Sequence, residues 1–220
     1  MADVYSRSGH GYTDPKTLAW CADVHGKHDK DLENAYQAAA KNNVPQIQVG
    51  PNEGILLEWL VKHFNVSKAV EIGTLVGYSA MRISRAMKPE GHLWTIEHES
   101  LHADIAEKNF NEAGVSDDIS VVRGTGKEVL RGLEVHGPFD LVFVDADKEN
   151  YEFYGEWAYQ NLKKGGLLIG DNAYVFGELF DDTARGKSMR RFHEFVSEHF
   201  DSVCLPTPDG MVLGLSLIHI

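Results

Sequence analysis

Two acidic residues and a lysine follow directly on an apolar segment in the second half of the chain. The segment reads FDLVFVDADKENY, in which a stretch typical of a buried strand precedes Asp145, Asp147 and Lys148. In α/β proteins, ligands bind beyond the carboxyl ends of such strands. Carboxylates at that position could hold a cation, and a lysine could accept a proton.

A second pair of oxygen donors follows another apolar segment, in GGLLIGDNAY. If the two segments are neighbouring parallel strands, about 4.8 Å apart, then Asp145, Asp171 and Asn172 meet at one edge of the sheet. Two carboxylates and an amide oxygen suit a hard cation such as Mg²⁺. The plainer interpretation is that Asp171 and Asn172 turn the chain and that Asp145 is only solvated. The three donors together favour the metal site.

An acid and two glycines follow an earlier apolar segment, in VEIGTLVGYSA. Glu71 closes the predicted strand, Gly73 and Gly77 allow a tight turn, and Ser79 opens the next helix. The glycine spacing differs from the G-x-G-x-x-G of dinucleotide-binding proteins, and an acid before the turn repels a pyrophosphate. The loop suits a cofactor with an ammonium or a sulfonium group, and S-adenosylmethionine (SAM) carries both. Glu97, at the end of the next predicted strand, is placed to bind ribose hydroxyls.

The sequence also predicts the elements that position these residues. Five short apolar segments alternate with stretches long enough for helices, as in a parallel sheet with crossover helices. They are KAVEIG, HLWTIE, ISVVRG, FDLVFVDA and GGLLIGD. Two further segments, DSVCLP and GMVLGL, flank the turn TPDG and predict a hairpin. The predicted fold is α/β, a Rossmann-like seven-stranded and mostly parallel sheet with the last strand antiparallel and helices on both faces.

The remaining segments divide the chain into three parts. Residues 1–50 carry helical signals and form a predicted N-terminal helical arm, in which DKDLENAYQAAAK is the clearest helix. Residues 51–215 contain the sheet, and residues 216–220, SLIHI, form a tail of unclear origin. At the start of the sheet domain, apolar residues at intervals of three and four predict an amphipathic helix, and they are Ile55, Leu56, Trp59, Leu60 and Phe64.

The composition is that of an ordinary globular protein. Apolar residues make up 43% and charged residues 25% of 220 residues, enough for one domain with a sizeable core. No apolar run approaches the roughly 20 residues of a membrane span, and the start lacks a signal-peptide pattern, so a cytoplasmic protein is expected. A net charge of −12 disfavours nucleic acid and anionic lipid. Cys21 and Cys204 suggest neither a disulfide framework nor a zinc site.

Taken together, the motifs resemble a known family. VGPNEG, VEIGTLVGYSA, FDLVFVDADKENY, LKKGGLLIGDN and DGMVLGL occur in this order between Gln48 and about Leu215. Their order and spacing are similar to those of the cation-dependent class I O-methyltransferases, the group that includes caffeoyl-CoA and catechol O-methyltransferases. The pieces VDADKENY and DN are the most specific part of this resemblance.

The resemblance implies a role for each matching residue. It implies that Asp145, Asp171 and Asn172 hold Mg²⁺, or another divalent cation such as Mn²⁺ or Ca²⁺. It further implies that Lys148 accepts the proton of the methyl acceptor and that Asp145 takes part in catalysis. The residues implied to line the SAM pocket are Val49, Glu71, Gly73, Thr74, Ser79, Glu97, Gly126, Asp145 and Asp147. A homodimer is implied as well, and residues 51–215 become the methyltransferase domain.

The chain departs from the family pattern near the acceptor. Plant members often read DNTLWNG where this chain reads DNAYVFG, so Val175 and Phe176 replace a tryptophan and a polar residue. Tyr174, Phe176 and Trp157 are candidates either for an apolar wall against an aromatic ring or for the core. A basic cluster could serve a CoA-bearing acceptor or be a solvated helix face, and it comprises Arg185, Lys187, Arg190 and Arg191.

We therefore expect an O-methyltransferase that moves a methyl group from SAM to a hydroxyl of a vicinal diol, with a divalent cation orienting the acceptor. The acceptor is expected to be a small aromatic molecule of catechol or caffeoyl type. One alternative is a tRNA hydroxyuridine O-methyltransferase of the same family, which the negative charge disfavours. Another is a non-catalytic SAM-binding regulator, which the intact set of metal and base residues disfavours.

Overall fold

The computed structural model describes residues 14–26 and 28–217, and a single seven-stranded sheet lies at its centre. The strands are β1 (Lys68–Ile72), β2 (His92–Glu97), β3 (Ile119–Arg123), β4 (Phe139–Val144), β5 (Leu162–Asp171), β6 (Phe200–Leu205) and β7 (Met211–Ser216). Their order across the sheet is β3-β2-β1-β4-β5-β7-β6. All seven predicted strands are present, which confirms the predicted fold.

The described part of the chain contains eight α-helices. They are α1 (Pro15–His25), α2 (Lys30–Lys41), α3 (Pro51–His63), α4 (Tyr78–Ala86), α5 (Ser100–Ala113), α6 (Gly126–Leu133), α7 (Tyr151–Asn161) and α8 (Ala184–His199). The first two lie in the predicted arm, and each begins after an aspartate whose carboxylate accepts hydrogen bonds from backbone N–H groups of the first turn. No helix in the described ranges is both long and apolar enough to span a membrane.

The directions and the order of the strands indicate where in the sheet a ligand would bind. Strands β1 to β5 pair in parallel, whereas β7 runs antiparallel to both of its neighbours, β5 and β6. The predicted hairpin is therefore present, with β6 rather than β7 at the edge of the sheet. Strand order reverses between β1 and β4, since one side leads to β2 and the other to β5. Ligands of such sheets bind beyond the carboxyl ends of the strands at this reversal.

Side chains that alternate along the strands divide the core into two layers. In β4, Leu141 and Phe143 pack towards helices α2 to α5, whereas Val142 and Val144 pack towards helices α6 to α8. Every residue of β4 is buried, which explains why this strand is apolar almost throughout. Full burial of one such side chain stabilises the folded state by about 1.5–3 kcal/mol. Packing of both layers against β4 therefore holds the end of this strand in a fixed position.

Helix α3 buries a different face from the predicted one. Trp59, which lies on the predicted apolar face, is 59% exposed, so that face is not the one that the helix buries. The close approach of α3 to α4 decides this, because a side chain at Gly54 would collide with the ring of Tyr78. The glycine must therefore face inward, and the residues that the helix buries are Gly54, Leu57, Leu60 and Val61.

The last strand extends beyond the predicted end of the sheet domain. β7 runs through Ser216, which is buried, so the strand takes in the first residue of the segment assigned to the tail. Residues 1–13 of the arm and residues 218–220 of the tail lie outside the described residues.

Candidate active site

The ends of β1, β4 and β5 bring together residues from distant parts of the sequence. Val144 lies opposite Gly170 in the β4–β5 pair, which places Asp145 and Asp171, one residue further on, at the same level. At the end of β1, Gly73 adopts a left-handed φ of +105° and its backbone lies against the carbonyl oxygen of Asp145. The loop predicted to bind SAM therefore touches the strand end predicted to bind the metal.

Lys148 is held inside this edge by two hydrogen bonds. Its Nζ donates to Asp145 Oδ1 at 3.1 Å and to the hydroxyl oxygen of Tyr151 at 2.9 Å. The Tyr151 hydroxyl also lies 2.7 Å from the carbonyl oxygen of Asp171 and 3.0 Å from that of Val144, to which it can donate. Burial raises the pKa of Tyr151 well above its usual value, so the hydroxyl stays neutral.

Sequence reasoning missed Tyr151. The signal was available, because Tyr151 follows Lys148 by three residues, a spacing at which two side chains on one helical turn meet. Its hydroxyl contacts the lysine and the ends of two strands at once. Tyr151 therefore positions the predicted base relative to the predicted metal ligands.

The acidic residues of this edge repel one another. Burial raises the pKa of Asp171 to about 7, with the charge of Asp145 as the next cause. Burial also raises the pKa of Glu53, in the first turn of α3, and Asp145 contributes in the same direction. A cation placed among these groups would relieve the repulsion.

Asn172 is oriented by a second residue that sequence reasoning missed. Asp209, in the turn between β6 and β7, accepts a hydrogen bond from the side chain of Asn172 and another, 2.9 Å long, from the backbone N–H of Phe176. Because the Asn172 amide nitrogen is the donor, its amide oxygen remains available to a cation. The sequence TPDG was interpreted only as a turn, since nothing local links Asp209 to Asn172.

These residues fit a hard divalent cation. Carboxylate and amide oxygens are the ligands that Mg²⁺ and Ca²⁺ prefer, and the two aspartates already repel each other. Within residues 14–26 and 28–217, no group of three or more His, Cys, Asp and Glu side chains could hold a metal ion. The third protein ligand that the resemblance implies is the amide oxygen of Asn172.

Glu71, in β1, is buried next to the loop of residues 73–77 that follows this strand, here called the first loop, and one of its carboxyl oxygens is unpaired among the described residues. Its Oε2 accepts a hydrogen bond from Thr95 Oγ1 at 2.5 Å, and Ser79 also bonds to this carboxyl group. Thr95 in turn lies 2.6 Å from Thr74 Oγ1. The other oxygen of Glu71, Oε1, has no hydrogen-bond partner among the described residues. Burial raises the pKa of Glu71 to about 8. A buried carboxyl group with a free oxygen fits a ligand that supplies a cationic group, such as the ammonium of SAM.

Glu97 holds the first loop in place. Its Oε2 accepts a hydrogen bond from the backbone N–H of Leu75 at 2.8 Å, and its Oε1 accepts one from the backbone N–H of Glu99 at 2.9 Å. The predicted ribose ligand therefore also fixes the loop that is predicted to surround the methionine part of SAM.

Three other residues implied to line the SAM pocket lie around this edge. Gly126 opens α6, and a side chain there would lie 2.6 Å from the ring of Tyr154. The Tyr154 hydroxyl donates to Asp147 Oδ1 at 2.6 Å, so one tyrosine links Gly126 and Asp147. Val49 is buried just before α3.

The three aromatic candidates for a wall against the acceptor have different surroundings in the structure. Trp157 belongs to the core, where it packs against Phe139 at a ring-centroid distance of 5.7 Å, so it forms no wall. Tyr174 packs against Gly210 in the turn before β7, and Phe176 is 62% exposed. The basic cluster of α8 is engaged within the chain, since each of its members contacts an acidic side chain or a backbone carbonyl.

A family model described as O-methyltransferase matches residues 23–217. The chain belongs to this O-methyltransferase family. The catechol O-methyltransferase of Niastella koreensis is 31% identical over 208 residues, which cover 89% of this chain and 94% of that protein. The catechol O-methyltransferase of Mycobacterium tuberculosis is 34% identical over 196 residues, which cover 85% of this chain and 89% of that protein.

A solved structure agrees with these matches. The O-methyltransferase from Bacillus cereus in complex with SAH superposes with a TM-score of 0.87 at 31% identity, covering 94% of this chain and 99% of that chain. The matches confirm the predicted family, the predicted fold and the prediction of a SAM-dependent O-methyltransferase. The roles of individual residues in this O-methyltransferase stay predictions.

Proposed function

We propose that this O-methyltransferase moves the methyl group of SAM to one hydroxyl of a vicinal diol on a small aromatic molecule, in a site that holds a divalent cation. One observation carries the proposal. Oxygen donors and a buried lysine lie together at one edge of the sheet, beside the first loop, and they are Asp145, Lys148, Asp171 and Asn172. The name catechol O-methyltransferase of two relatives supports a diol as acceptor.

The proposed ligands of the cation are the carboxylates of Asp145 and Asp171 and the amide oxygen of Asn172. When bound, a divalent cation lowers the pKa of a hydroxyl that it coordinates and fixes the orientation of the diol. Asp209 keeps Asn172 in position through its hydrogen bond to the amide nitrogen. Mg²⁺ is the proposed ion, and Mn²⁺ and Ca²⁺ accept the same oxygen ligands.

Lys148 is the proposed base. Two hydrogen bonds fix its Nζ between Asp145 and Tyr151, so that it can receive the proton of the acceptor hydroxyl. Methyl transfer requires a nearly linear arrangement of oxygen, carbon and sulfur, and positioning of the two reactants supplies much of the acceleration. Glu71 and Glu97 are proposed to hold SAM from the ends of the adjacent strands β1 and β2. The predicted homodimer and cytoplasmic location stay predictions.

The test is the dependence of turnover on the cation and on Asp171. We expect EDTA to abolish methylation of 4-methylcatechol by labelled SAM and Mg²⁺ to restore it. Asp171→Ala should lower kcat by about 100-fold or more, because the cation supplies several kcal/mol of stabilisation. The dissociation constant for SAM, from calorimetry, should change little.

Asp181→Ala is the matched control, because it removes an exposed carboxylate from the loop that follows β5. It should leave turnover unaltered. Full activity of Asp171→Ala, or full activity in EDTA, would refute the metal site.

A further inference from the structure

An apolar cleft of about 560 Å³ lies between α1, the start of α3 and the turn that joins β6 to β7. Its volume is in the range of sites for small molecules. Glu53 is the one charged residue among the described residues that line it. The apolar residues that line the cleft include Leu18, Cys21, Ala22, Leu56, Pro206 and Pro208.

Two walls of this cleft continue into the candidate active site. On one wall, Glu53 is close enough to Asp145 and Asp171 for their charges to influence one another. On the other wall, Pro208 precedes Asp209, which bonds the side chain of Asn172. Glu53 and Pro208 are therefore the lining residues that connect the cleft with the proposed diol site.

Glu53 has a fixed position in the cleft. Its carboxylate accepts hydrogen bonds from its own backbone N–H and from that of Gly50, at the N-terminus of α3. This arrangement is a helix cap, and the positive end of the helix favours a carboxylate there. The cap also holds the carboxylate in place at the wall of the cleft.

No positive side chain among the described residues that line the cleft balances Glu53. The basic residues of α8 bind acids and carbonyls of their own neighbourhood. An anionic group in the cleft would lose its hydration and meet a negative charge, whereas a neutral or cationic group would not.

We propose that the cleft is the acceptor site and that Glu53 selects against anionic acceptors. The inference rests on the proposed function and adds the class of acceptor. Compact aromatic diols with a neutral or cationic substituent are favoured. Diols with a carboxylate are disfavoured, and so are CoA thioesters, whose phosphates add further negative charge.

The experiment compares three diols that differ mainly in the charge of one short substituent. They are 2-(3,4-dihydroxyphenyl)ethylamine, 4-ethylcatechol and 3-(3,4-dihydroxyphenyl)propanoate, each assayed with saturating SAM and Mg²⁺. The wild type should show a kcat/KM for the amine at least about tenfold above that for the carboxylate. Glu53→Gln should bring this ratio close to one, and glutamine can still cap the helix.

Glu112→Gln is the matched control for net charge. Glu112 is exposed at the end of α5, outside the cleft, and its ion pair within the described ranges is with Lys108. This variant should keep the wild-type ratio. A ratio near one in the wild type, or an unaltered ratio in Glu53→Gln, would overturn the role of Glu53 and leave the diol methyltransferase intact.

A second variant tests the cleft itself. Ala22→Trp fills the cleft from the arm and should raise the KM for 4-ethylcatechol about tenfold or more, because burial of the ring is lost. An unaltered KM would overturn the acceptor site and leave the cleft to another occupant, such as a second copy of the chain. If none of the three diols is methylated, the proposed function fails. Calorimetric binding of the same diols to the SAH-loaded protein then decides the charge preference separately.

Discussion

At the scale of single residues, Tyr151 joins the parts of the candidate site. Its hydroxyl contacts Lys148 and the carbonyl groups of Val144 and Asp171, which are the ends of two adjacent strands. Without the hydroxyl, Lys148 would keep its hydrogen bond to Asp145 as the one that it donates to a described residue, and a buried carbonyl group would lose a donor. Leaving a buried polar group unpaired costs about 1–3 kcal/mol.

Tyr151→Phe is therefore expected to lower kcat by about 10–100-fold, because a misplaced base loses part of its catalytic contribution. The KM for SAM should change little, since the hydrogen bonds of the Tyr151 hydroxyl to described residues go to Lys148, Val144 and Asp171 and not to the first loop. Steady-state kinetics with a diol acceptor would measure both constants. Tyr159→Phe is the control, because the Tyr159 ring packs against Phe195 while its hydroxyl makes no hydrogen bond to another described residue. An equal loss of kcat in both variants would contradict the positioning role.

Glu71 makes the stability of the unliganded protein depend on pH. Burial raises its pKa from 4.5 to about 8, so the native state keeps a proton that the unfolded chain has released. The free energy of unfolding should therefore fall as the pH rises from about 4.5 to about 8. Ligands with a cationic group would offset this loss, because they favour the ionised carboxylate.

Glu71→Gln should remove this part of the pH dependence. Between pH 5 and pH 8 the wild type should lose on the order of 3 kcal/mol more than the variant. Urea unfolding at both pH values, in EDTA and without SAM, measures the difference. The contribution of Asp171, whose raised pKa acts in the same direction, is common to both proteins and cancels. Parallel stability profiles would contradict the assignment.

At the scale of the elements, the ends of β1 and β4 approach each other through a glycine. A side chain at Gly73 would lie 2.0 Å from the carbonyl oxygen of Asp145, and the φ of Gly73 is +105°. The first loop and the proposed metal ligands thus share one backbone contact. A side chain at position 73 that pushes β1 away from β4 should therefore disturb both the first loop and the proposed metal ligands.

Gly73→Ala is expected to destabilise the protein by about 3 kcal/mol or more, since it combines strained backbone with a collision. It should also weaken SAM binding. Gly165→Ala is the control, because Gly165 has a φ of +73° with no atom within 4 Å of the added carbon. This variant should cost only about 1–2 kcal/mol. Denaturant titrations of both variants give the comparison, and equal losses would contradict the steric explanation.

At the scale of the whole molecule, charge limits the partners. The net charge is −12, and the four basic residues near the start of α8 are already engaged with acids or carbonyls. Phosphate backbones are bound chiefly by free lysine and arginine side chains. A small molecule therefore suits this surface better than a tRNA.

We expect bulk tRNA to bind no more tightly than at the weak end of the usual non-specific range, with a dissociation constant above about 100 µM at 0.15 M salt. A mobility-shift titration measures this, and a methylation assay with labelled SAM on the same tRNA measures transfer. Methylation of 4-methylcatechol by the same preparation is the positive control. Methylation of tRNA without methylation of diols would reverse the choice of acceptor.

The sequence by itself determined the strands of the sheet and predicted the oxygen donors of the candidate site. Apolar periodicity and turn residues are local signals, so they predicted the strands and the hairpin. Because parallel strands end at the same edge, the positions of Asp145, Asp171 and Asn172 in the sequence already predicted that they meet. The resemblance to a family then implied a methyltransferase, and the family match confirmed it.

Only the tertiary structure decided which additional residues surround that edge. Asp209 accepts a hydrogen bond from Asn172, and the charge of Asp145 acts on Glu53, across separations in the sequence that no local pattern reports. The exposure of Trp59 and the burial of Trp157 likewise follow from which faces of the helices meet. The physical reason is that periodicity describes one element at a time, whereas hydrogen bonds, burial and pKa shifts arise between elements packed against each other.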